Sequence, residues 1–137
     1  MARVTKKAAM NLFDAAEYAE SLSNCKKRPV GCSLAINGEV VAIGFNHADS
    51  KCKCKMHEEN SKVEHAEICC MKHYEFLKQD YSELAVTYIC CLNCSKEIVK
   101  RGIRKVYYRD HRPEPDKQLG INYLKSHNVE VSNQWNS

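Results

Sequence analysis

The stretch Thr87–Lys96, TYICCLNCSK, places three cysteines in five positions, and Cys91-Leu92-Asn93-Cys94 is a C-x-x-C pair. Such a pair serves as a redox couple, as half of a zinc site, or as buried thiols. Twenty-six residues before Cys91 stands His65-Ala66-Glu67. One imidazole and two thiolates form a borderline-soft set that zinc accepts in tetrahedral geometry. Three protein ligands leave the fourth position to water, the pattern of a catalytic rather than a structural ion. Zinc brings the pKa of a bound water to about 7. Glu67, two residues from His65, is then near the ion without being needed as a ligand, the place for a carboxylate that moves protons.

The elements that must bring these groups together are legible as periodicities. Residues 5–22 carry Ala9, Leu12, Phe13, Ala16 and Ala19 at helical spacing. Residues 30–46 predict a β-hairpin turning at Asn37-Gly38, a pair that tolerates positive φ at both central positions. Residues 47–64 lack periodicity and read as a loop in need of an anchor. A helix is expected over 66–78, a buried strand over 84–90, and a helix over 92–101 closed by Gly102. Strand 104–110, helix 116–127 and strand 129–131 complete the order α-β-β-α-β-α-β-α-β. His65 and Cys91 each stand at a helix start. Helices alternating with strands after an opening hairpin imply an α/β fold, a three-layer α/β/α sandwich on a mixed five-stranded sheet. The 137 residues suit one domain, 1–137, with a core that needs no disulfides.

Composition excludes several classes. No run of apolar residues is long enough for a membrane helix, and the first twenty residues lack a signal-peptide core, so a cytoplasmic protein is expected. Nine cysteines in that setting are read as reduced thiols, some of them ligands. The net charge of +4 is mild and its lysines are dispersed, which makes nucleic acid an unlikely partner. Cys32, Cys69, Cys70 and Cys90 are read as small core residues, Arg109, His111 and Arg112 as a solvated run, and Trp135 as part of a frayed tail.

The H-x-E…C-x-x-C arrangement resembles the zinc-dependent nucleobase and nucleotide deaminases, whose second motif is P-C-x-x-C. Here Cys90 replaces the proline. Within that superfamily RPVGCSLAINGEVVAIGFN and the C-terminal YYRDHRPEPD…YLKSHNVEV look most like the deoxycytidylate (dCMP) deaminases. The resemblance implies zinc on His65, Cys91 and Cys94, Glu67 as the proton shuttle, and Asn46 and Ala66 as substrate-binding residues. It also implies hydrolysis of dCMP to dUMP and ammonia, and assembly as a homo-oligomer, often a hexamer. Two further positions depart from the pattern: His47 stands where a glycine usually follows the hairpin asparagine, and Cys69 where an asparagine usually follows H-A-E. In the family those regions lie near the substrate and near the site of deoxynucleoside triphosphate control, so any effector taken with Mg2+ would be affected there.

Some members carry a structural zinc between the end of the first helix and the loop after the hairpin. The matching ligands are Cys25, Cys52, Cys54 and His57. Two other assignments use the same catalytic residues. One is deamination of another base: cytidine, cytosine, guanine or adenosine in transfer RNA. The other is a non-catalytic zinc module, which needs four ligands and has no use for Glu67.

Overall fold

A computed structural model describes residues 11–25, 28–47, 64–72, 80–111 and 114–135. The elements follow in the order α1 (Leu12–Ser21), β1 (Gly31–Ile36), β2 (Glu39–Phe45), α2 (Ala66–Lys72), β3 (Ser82–Tyr88), α3 (Leu92–Lys100), β4 (Lys105–Asp110), α4 (Pro115–Ser126) and β5 (Glu130–Ser132). The sheet order is β2-β1-β3-β4-β5. β1 is antiparallel to both neighbours, whereas β3, β4 and β5 run parallel. The mixed five-stranded sheet is the one expected.

Alternation along the strands builds the three layers. Cys32, Leu34 and Ile36 of β1, with Leu84, Val86 and Tyr88 of β3, face a core that also holds Ala66 and Met71 of α2, Ile98 of α3 and Leu124 of α4. On the opposite face Ala35 and Ala85 pack against Leu12 and Ala16 of α1. The turn between β1 and β2 is as expected, with φ of 52° at Asn37 and 87° at Gly38. α3 closes as a Schellman motif: Gly102 N–H donates to Val99 O at 3.0 Å and Ile103 N–H to Ile98 O at 3.3 Å.

Two boundaries and the tail differ from the reading of the sequence. The first helix does not run through from residue 5: Asn11 is extended (φ −73°, ψ 171°), and its side chain accepts the Asp14 N–H at 2.7 Å, an N-cap that starts the helix at Leu12. β3 begins at Ser82 rather than 84 and ends at Tyr88, because Ser82 and Glu83 pair with Ile36 and Ala35 of β1. Trp135 does not fray. Its indole meets Phe13 with ring centroids 4.8 Å apart and donates to Glu17 at 2.9 Å.

Candidate active site

β2 and β3 both run opposite to β1, so their C-terminal ends point the same way, with the start of β1 between them. α2 and α3 therefore begin at one edge of the sheet. Ligands of open α/β sheets bind outside the carboxyl ends of the strands. Gly44 lets α2 lie on β2, since a Cβ there would strike the backbone of Ala66 and Cys70. Gly120 does the same for α4, whose backbone crosses Cys90 and Cys91.

The result is a cleft lined by Val30, His65, Ala66, Glu67, Tyr88, Ile89, Cys91 and Lys117. His65 Nδ1 lies 3.3 Å from Cys94 Sγ and 3.6 Å from Cys91 Sγ. Zinc bonds of about 2.3 Å to sulfur and about 2.0 Å to nitrogen, at tetrahedral angles, put N and S about 3.5 Å apart. The two observed separations straddle that value, so the donor set fits a zinc ion. Cys91 is the N-cap of α3 and its side chain makes no cap bond; no acidic residue sits in that helix's first turn, so nothing competes with a thiolate for the helix dipole.

Electrostatics among the protein groups favour a thiolate. The Cys91 thiol is brought down to about 3, chiefly by its hydrogen bond with Cys94, with His65 adding to it. His65 is raised to about 9, first by its hydrogen bond to Cys91. Cys94 takes the opposite shift, well above an ordinary thiol, because it shares its proton with Cys91 and is buried. Glu67 is 4% exposed, and burial pushes its carboxyl up, with Cys91 adding to the effect.

Asn46 is fully buried one residue beyond β2. Its Oδ1 accepts Val30 N–H at 2.8 Å and Ser23 Oγ–H at 2.6 Å, and its Nδ2 donates to Arg28 O at 2.8 Å. Asn46 thus holds Arg28 and Val30 at the cleft. Ala66 lines the cleft and is 1% exposed. Of the other metal set, Cys25 is buried, with its sulfur in a disulfide in the metal-free structure. That departs from nine reduced thiols; a disulfide and a shared ion make the same demand on cysteine spacing. Cys52, Cys54 and His57 lie outside the described residues.

Three residues at the cleft were given no part in the site by the sequence reading. Lys117 is 5% exposed, and its ammonium lies 5.0 Å from the centre of the Tyr88 ring. Arg28 stacks on the same ring at 4.2 Å, and its buried Nη1 has no hydrogen-bond partner among the described residues. Cys90 is fully buried, and its thiol acts electrostatically on the Glu67 carboxyl. Lys117 did leave a signal: a cation in the first turn of a helix opposes the dipole there. Arg109, by contrast, is committed to α1 through bonds of 3.0 and 2.8 Å to Glu20.

Residues 5–110 match the family model for the cytidine and deoxycytidylate deaminase zinc-binding region. Among solved structures, the chain is 34% identical to dCMP deaminase from the cyanophage S-TIM5 in its apo form, with a TM-score of 0.71, covering 88% of this chain and 92% of that one. The same enzyme in complex with dCMP and dUMP is matched equally well, with 87% and 90% coverage. The deaminase/reductase of Thermotoga maritima shares the fold at 21% identity and a TM-score of 0.59, over 92% of this chain and 34% of that one. ComE operon protein 2 of Bacillus subtilis (strain 168) is 28% identical over 68% of this chain, which spans about half (54%) of that relative's length. Among the described residues no helix is long and apolar enough to cross a membrane. With the family model matching residues 5–110, the chain belongs to the cytidine and deoxycytidylate deaminase zinc-binding family.

Proposed function

We propose that this protein hydrolyses dCMP to dUMP and ammonia. The observation that carries the choice of a nucleotide is the pair of cations at the cleft. Lys117 is almost fully buried beside His65 and Glu67, and Arg28 presents a guanidinium nitrogen without a partner among the described residues. Removing such charges from water is costly unless an anion meets them. A substrate phosphate is that anion; a free base or a nucleoside has none. The 34% identity to an enzyme solved with dCMP and dUMP supports the same reading.

His65, Cys91 and Cys94 would hold zinc, which when bound supplies the Lewis acidity that makes water a nucleophile near neutral pH. Glu67 takes a proton from the attacking water and passes it to N3 of the cytosine ring as oxygen adds at C4. It passes a further proton to the amino group, which leaves C4 as ammonia. A buried carboxylate with a raised pKa suits a group that must both accept and release protons. Asn46 holds Arg28 and Val30 at the cleft. Ala66 packs at the cleft wall, where small size leaves room for the base.

The test is ammonia release by zinc-loaded protein from dCMP, CMP, deoxycytidine, cytosine, guanine and a transfer RNA anticodon stem-loop. The expected result is turnover of dCMP well above all others. Equal turnover of deoxycytidine would overturn the nucleotide reading, and ammonia from none of them would overturn the proposal as a whole.

A further inference from the structure

A second cluster of metal-ligating side chains lies outside the cleft residues just described. His47 follows β2, Glu64 precedes the catalytic histidine, and Cys69 lies on α2. One ligand atom from each falls within 4.8 Å of the other two. His47 and Glu64 are clamped together by a backbone bridge, with N–H to O distances of 3.1 and 2.9 Å in the two directions. His47 Nε2 lies 2.8 Å from Glu64 Oε1. The site is open to water, since the His47 side chain is 41% exposed and that of Glu64 23%.

We infer that His47, Glu64 and Cys69 bind a second ion, a zinc-like divalent cation. The donor set is one imidazole, one carboxylate and one thiolate, each an accepted zinc ligand. One carboxylate and one thiolate balance the two charges of the ion. Lys72 does not block the site. It donates to the other carboxylate oxygen, Oε2, at 2.6 Å, and leaves Oε1 facing His47. A ligating carboxylate is ordinarily oriented by such an outer partner. The ion takes the place of the proton between His47 and Glu64, and water completes the coordination on the exposed side.

The sequence adds an independent indication. His47 and Cys69 are two of the positions where the chain departs from the deaminase pattern, and both supply ligands to this one point. None of the three residues belongs to the set Cys25, Cys52, Cys54 and His57. The ion would pin the end of β2 to α2 and to the residue before His65. Cys69 N–H already bonds His65 O at 3.0 Å. Its role is therefore a clip: it closes a 17-residue separation between His47 and Glu64 and fixes the start of the helix that carries Glu67.

The test is zinc stoichiometry on the full chain, metal-stripped and then titrated with Zn2+, read by calorimetry and by elemental analysis. His47→Gln and Cys69→Ser are each expected to bind one equivalent less than wild type and to retain the equivalent that Cys94→Ser loses. Their melting temperatures should also rise less on zinc addition. His47 is at the surface, so His47→Gln keeps the test intact even where Cys69→Ser fails to fold. Wild-type stoichiometry in His47→Gln would overturn the inference. Because the readout is metal content, it stands or falls apart from the identity of the substrate.

Discussion

His65 Nδ1 and Cys94 Sγ lie 3.3 Å apart although 29 residues separate them in the chain. The contact exists because α2 and α3 start at the same edge of the sheet, on strands that point the same way. One residue ahead of α2 and one turn into α3, the two side chains meet where an ion bonded to both would hold them. Cys91, the N-cap of α3, closes the triangle.

Removing any one of these three donors should therefore remove the ion. His65→Ala, Cys91→Ser and Cys94→Ser are each expected to lose one zinc equivalent and all measurable deamination. Chelation of the wild-type protein should do the same, and added Zn2+ should restore the rate. Retention of the full rate by chelated, zinc-free protein would contradict a zinc-dependent reaction.

Glu67→Gln separates the ion from the chemistry. Glutamine keeps the size of the side chain and cannot carry the proton. Zinc content should stay at the wild-type level while kcat falls by about 10²- to 10⁴-fold, the usual scale of a lost general acid–base group. A rate near wild type would remove Glu67 from the mechanism.

Lys117→Met tests the anion subsite. A cation this deeply buried is a cost that the protein carries for function, so the variant should melt at the same temperature or higher. The KM for dCMP should rise by roughly tenfold or more, the equivalent of one charged hydrogen bond. Any slow turnover of deoxycytidine should be unaffected, because it has no phosphate. Equal losses on both substrates would mean that Lys117 acts on the base or the fold instead.

Asn46→Ala should act on stability and substrate binding together. It strands the buried Val30 N–H and the part-buried Arg28 carbonyl, both bonded to the Asn46 carboxamide. The buried Val30 N–H left unsatisfied costs about 1–3 kcal/mol, and the part-buried Arg28 carbonyl adds less, readable as a shift in the urea midpoint. The dCMP KM should rise as well, since Arg28 loses its anchor. A variant of wild-type stability would show that water replaces the carboxamide.

The sequence by itself determined what depends on near neighbours. His65-Ala66-Glu67 and Cys91-x-x-Cys94 were legible as a candidate ligand set with a carboxylate because ligand type and short spacing belong to the chain. The Asn37-Gly38 turn and the Gly102 helix end were legible for a similar reason, since φ preference is a property of the residue. Even the Asn11 cap was written in the chain, although hydrophobic spacing suggested a longer helix over it. The tertiary structure alone decided which distant segments meet. Arg28 before β1 and Lys117 in α4 converge on Tyr88 at the end of β3. His47 and Cys69 converge on Glu64, and Trp135 closes on Phe13. Those contacts follow from strand order, register and the close approaches at Gly44 and Gly120, which many residues set jointly and no short stretch encodes.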